Sequence, residues 1–159
     1  NTTFQGPVRS ENGFKTIVKS ASTGAITNEM TFSQYTATVT VASGATTGKE
    51  SSIGIPSNFI PMGVTIAVTT AATNSVTLTD IGTDADTDGF VDGISPAINS
   101  TGFKGFFPCN GVLGMSGGTT TAATATADEV EVVVSGDPGA SGVTMVLKFI
   151  GISSSSDAS

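Results

Sequence analysis

The chain has 159 residues, a net charge of −7, six Lys and Arg, thirteen Asp and Glu, and no His. Phosphate binding needs clustered Lys and Arg, so this balance excludes a nucleic-acid partner, and the lack of His removes the usual general base and zinc ligand. With 26 Thr, 19 Ser and 20 Gly against 12% charged residues, the composition is that of one all-β domain long enough to bury a core.

No apolar run reaches 18 residues, so no transmembrane helix is expected and no membrane partner is assigned. No signal-peptide pattern opens the chain, and the start at Asn1 without Met gives an expectation of N-terminal processing. The single Cys109 excludes an internal disulfide framework and reads as a small buried hydrophobe.

Residues 1–34 carry isolated apolar anchors and turn residues without a sustained period, and are expected to form an extended arm. Its anchors for a partner are Phe4, Val8, Arg9 and Phe14. The β domain is expected over residues 35–152. Tyr35, Ala37, Val39 and Val41 alternate with Thr36, Thr38 and Thr40, the period of a half-buried strand. Residues 44–48 read as a loop, and Ile53 and Ile55 as a short strand stopped by Pro56. Val64, Ile66 and Val68 mark the next strand, and Val76 and Leu78 the one after Asn74. Residues 90–99 are expected to hold a helical turn, limited by Pro96. Residues 102–107 are expected to form a strand with aromatic anchors, and residues 114–127 a flexible Thr-rich loop or weak strand. Val130, Val132 and Val134, then Val143, Met145, Leu147 and Phe149, predict a hairpin closed by Asp137-Pro138-Gly139. Val146 and Ile150 lie on the other face of its second strand, which suits a sheet centre or a subunit interface. Residues 153–159 are expected to be a flexible polar tail. Seven to nine short strands at regular spacing predict an antiparallel β-sandwich or jelly-roll-like fold.

Two apparent catalytic motifs fail on context. Gly114-Met115-Ser116-Gly117-Gly118 matches a nucleophile elbow only on paper, for it has no His base. Gly44-Ala45-Thr46-Thr47-Gly48-Lys49 is one residue short of a phosphate loop, and Glu50 stands where a magnesium-binding hydroxyl should be. No catalytic residue and no cofactor is assigned. The run from Asp84 to Asp92 is the strongest local signal. Asp84, Asp86, Asp88 and Asp92, with Gly89 between, have the spacing that opens a calcium loop. Ser95 replaces the bidentate Glu at the twelfth position. The run is therefore weighed as a candidate calcium site against a solvated acidic turn anchored by Phe90.

The segment from Thr2 to Phe14 resembles the N-terminus of small virion structural proteins of tailed phages, especially marine cyanophage-like podoviruses. Two further blocks are similar to small phage structural proteins. One runs from Ile55-Pro56 through residues 68–70 into the acidic run, and the other joins residues 102–107 to residues 130–150. The resemblance implies a non-enzymatic capsid decoration (cement) protein on the outer surface of the virion. It would bind the major capsid protein and itself as a homo-oligomer, most often a trimer. The alternative is a phage tail or head-fibre adhesin, or a calcium-dependent binding module, against which the absence of Trp counts.

Overall fold

Strict alternation of apolar residues with Thr gives a strand one face to bury and one that water tolerates. The computed structural model, which describes residues 14–50, 55, 59–113 and 129–153, builds eight such strands and, among the described residues, no helix. They are β1 (Phe14–Lys19), β2 (Ile26–Val41), β3 (Thr47–Lys49), β4 (Phe59–Thr70), β5 (Leu78–Thr83), β6 (Gly102–Pro108), β7 (Val130–Val134) and β8 (Val143–Ser153). Two antiparallel sheets result, a five-stranded one ordered β1-β2-β8-β4-β6 and a three-stranded one ordered β3-β7-β5. The chain is an all-β sandwich, as its composition implies.

From β2 onward every successive strand lies in the other sheet. This corrects the expected closing hairpin. β7 pairs with β3 and β5, whereas β8 pairs with β2 and β4. The apolar rows meet across the sandwich instead of side by side in one sheet. Ala37, Val39 and Val41 of β2, Val64, Ile66 and Val68 of β4, and Val143, Met145, Leu147 and Phe149 of β8 are all buried, in one cluster with Leu78, Ile81, Val130, Val132 and Val134. β8 is the central strand of its sheet, as its two apolar faces suggest, yet Ile150 on its outer face is 46% exposed.

Three other expectations change. Residues 90–99 form no helical turn. Phe90, Val91 and Ile98 are drawn into the core, and Val91 and Ala97 make single bridges to Ile81 and Thr77. The expected loop at residues 44–48 ends early, because Thr47 and Gly48 already belong to β3. The expected boundary between residues 34 and 35 falls inside β2. Residues 14–30 still leave the body of the sandwich, as a ribbon. β1 pairs with β2 from Ile26 to Phe32, and β8 pairs with β2 only from Thr31 to Val41. Ser20 and Ala25 close the ribbon's turn, with Gly24 at a φ of 72°. Phe4, Val8, Arg9, Ile53, the 114–118 motif and residues 154–159 lie outside the described residues.

Candidate functional site

The acidic run leaves β5 and folds back over it. The Asp86 carbonyl accepts from the Thr83 and Gly89 amides (2.8 and 3.1 Å), and the Asp86 amide donates to the Thr83 carbonyl (3.1 Å). Phe90 follows at once and is fully buried, its ring 5.6 Å from that of Phe149 in an edge-on contact. Gly89 is not in the left-handed region that a sharp calcium-loop turn would use. It lacks a side chain because Leu113 and the Asp86 carbonyl fill the space a Cβ would take.

The four carboxylates do not converge. Asp84 is ion-paired with Lys49. Asp86 and Asp88 share a hydrogen bond, which, with some burial, raises the Asp86 carboxyl above the ordinary range. Asp92 is exposed, and its backbone is held by the Asn110 side chain, which accepts from the Asp92 amide (2.9 Å) and donates to its carbonyl (3.0 Å). The Phe90 carbonyl, which a calcium loop would aim at the ion, accepts from the Gly111 amide (3.1 Å). Among the described residues no three acidic, His or Cys side chains are grouped to hold a metal. In this arrangement the residues do not fit a calcium cage.

The raised Asp86 carboxyl fixes a sign. The folded chain holds that proton more tightly than the unfolded chain, so its stabilising contribution is present at low pH and is lost as pH rises through the folded-state pKa. Asp88→Asn should flatten this dependence above the usual Asp range. At neutral pH it should stabilise the chain by on the order of 0.5 kcal/mol, since solvent screens a pair of which Asp88 is exposed and Asp86 half-buried. Chemical denaturation across pH would show it, and an unchanged profile would mean the two carboxyls are independent.

Two buried acids escaped the sequence reading. Tyr35 donates to both oxygens of Glu50 (2.7 and 2.8 Å), and burial followed by that carboxylate holds the Tyr35 hydroxyl protonated well above its usual range. Glu131 sits beneath Lys49, whose Nζ lies 3.9 Å from its Oε2. Tyr35 and Glu50 are fifteen residues apart, and Glu131 lies in a Val-rich strand, so no local pattern marks either pairing.

Cys109 is buried, and burial pushes its thiol up to about 12. It should react with Ellman-type reagents only on unfolding, with labelling slowed at least ~100-fold in native buffer. Fast native labelling would show that this end of β6 opens locally.

The open surface is the outer face of the five-stranded sheet. Phe103 (69% exposed), Phe106 (51%), Ile150 (46%) and Phe32 (44%) are large apolar side chains in water. Simple alternation puts Phe103 and Phe106 on opposite faces. The register shift at Ile66 and Ala67 leaves Lys104 unpaired as a bulge, so both Phe pair with outer-face residues, Ala67 and Thr65. The Phe106 ring lies over Gly63, in the space a side chain there would fill. Of the arm anchors only Phe14 is described; it opens β1 in register with Phe32. No helix among the described residues is long and apolar enough to cross a membrane. Compared with known proteins, the chain matches no family model, no curated protein and no solved structure.

Proposed function

We propose that the chain is a non-enzymatic structural protein of a tailed-phage virion, a decoration (cement) protein on the outer capsid surface. It binds the major capsid protein lattice, stabilises the head and acts as a homo-oligomer, a trimer by the resemblance given above. The observation that carries this reading is the β1–β2 ribbon. Residues 14–30 extend past the sandwich with no third strand beside them among the described residues, and Ile17 on the ribbon is 45% exposed. An isolated two-stranded ribbon is marginal in water, so a ribbon built this way gains most by docking on another surface. Cement function needs no reaction chemistry. Weak contacts repeated over a lattice suffice, since each additional contact raises the effective affinity of the assembly.

The test is to mix the full chain with undecorated heads, measure co-sedimentation, and locate a C-terminal tag on intact particles by electron microscopy. Label over the head lattice, with binding weakened by Ile17→Asp, is the expected result. A label confined to the tail would sink the cement reading.

A further inference from the structure

The outer face of the five-stranded sheet and the acidic side of the molecule are opposites in charge. β4, β6, β8 and residues 31–41 of β2 contain no Asp or Glu, while Lys104 and Lys148 lie in β6 and β8. Lys148 is exposed and paired in register with Thr36 and Thr65, on the same face as Phe106 and Ile150. The acids instead gather where β5 leaves the smaller sheet: Asp80, Asp84, Asp86, Asp88 and Asp92 fall within thirteen positions. Alongside them runs the segment after β6. Its Gly111 and Leu113 amides donate to Phe90 and Gly89, and Asn110 clasps Asp92. That segment carries Val112, 49% exposed, on a backbone held along residues 89–92, and Asp88 and Asp92 there are both exposed. One patch is therefore apolar with a lysine border, and the other apolar with a carboxylate border.

We propose that copies of this chain associate head to tail, with Phe103, Phe106, Ile150 and Lys148 of one copy seated on Val112, Asp88 and Asp92 of the next. A face-to-face dimer would bring two faces together that carry lysines and no acids, which costs affinity in an interface. The head-to-tail contact pairs unlike charges and leaves a free patch of each kind on every copy, so it grows into a ring where the rotation between copies closes and into a filament where it does not. Four strands at β-sheet spacing, each about ten residues long, offer on the order of 600 Å² on one side of the contact, and the smaller acidic side around Val112 sets how much of it is covered. The Phe106 ring is already seated on Gly63, so little side-chain freedom is lost when it is covered. This deepens the oligomeric part of the reading above and rests on it. The experiment is run without capsids, so failure of capsid binding and failure of this contact are read separately.

Sedimentation velocity of the full chain across the micromolar range is the measurement. Wild type should self-associate, and more weakly as salt is raised. Phe106→Glu and Val112→Glu should each weaken self-association by roughly tenfold or more, as expected for a change at the centre of a small interface. Both positions are exposed, and unchanged melting curves would show that the variants fold. An equimolar mixture of the two variants should form a one-to-one heterodimer and nothing larger, because each supplies the patch the other lacks. A wild type that stays monomeric overturns the proposal and points to cover by another partner or by residues 1–13. Self-association of Val112→Glu alone overturns it in favour of a face-to-face dimer. Self-association of both variants overturns it in favour of another surface.

Discussion

Phe90→Ala should destabilise the chain by about 3–5 kcal/mol, the range for removing a fully buried aromatic ring. Phe90 is 0% exposed, although two residues earlier, at Asp88, the chain is exposed. Its ring meets the edge of Phe149, an inward residue of the central strand of the larger sheet, so it bridges the loop to the middle of the core. Aromatic pairs of this kind add roughly 0.5–1.5 kcal/mol beyond the area they bury. The surrounding backbone is fixed: the Phe90 and Val91 amides both donate to the Ile81 carbonyl (2.9 Å each). The loop therefore cannot slide inward to fill the void. Phe90→Leu keeps much of the volume and should lose less than half as much. Urea denaturation of the three proteins checks this, and a Phe90→Ala cost below about 1 kcal/mol, typical of a surface position, would show that the turn is not anchored through this ring.

The same residue marks how far the sequence could be read. Phe90 is legible as an anchor because a lone aromatic after an acidic run has nowhere favourable to go but inward. The strands at residues 35–41, 64–68 and 130–134 are equally legible, since each alternates, or runs apolar, over a distance only a strand can use. Pairing partners are another matter. Val130–Val134 and Val143–Ser153 flank Asp137-Pro138-Gly139 and look like a hairpin, yet they lie in different sheets. Alternation states which side of a strand is dry, and the same pattern serves a neighbour in the sheet or a layer opposite. The period fades toward the start of β2 for a related reason: before Thr31 it pairs with β1 alone, away from the rest of the larger sheet. Phe103 and Phe106 share a face only through the bulge at Lys104, which nothing local announces. The spacing of Asp84, Asp86, Asp88 and Asp92 is also plain in the sequence. Where their carboxylates go depends on Lys49 and on the turn's own carbonyls, and these are set by the fold.

Gly82→Ala should cost about 3 kcal/mol, at the upper end of what overpacking a tight site produces. Gly82 lies in β5 opposite Glu131 and is buried beneath the acidic turn. A methyl group there would fall far inside van der Waals contact of the Asp86 carbonyl oxygen and of the Thr87 backbone. These are main-chain atoms, so no side chain can swing aside. The turn would have to lift and lose the paired hydrogen bonds between Thr83 and Asp86. Lifting it would also expose Glu131, which is 5% exposed and lies under Lys49, the residue that pairs with Asp84. Gly24→Ala provides the contrast. Its φ of 72° is strained for any side chain, but nothing lies within 4 Å of the added Cβ, so the change should cost only about 1–2 kcal/mol. The ordering of the two variants thus separates packing from backbone conformation. It also decides what the acidic run is for. If packing over Gly82 holds the turn, the loss from Gly82→Ala is the same in calcium and in chelator. If the carboxylates gather around a cation, calcium stabilises the wild type and that gain disappears in the variant. Thermal melts of both proteins in the two buffers distinguish these outcomes, and the lack of three grouped ligands among the described residues leads us to expect the first.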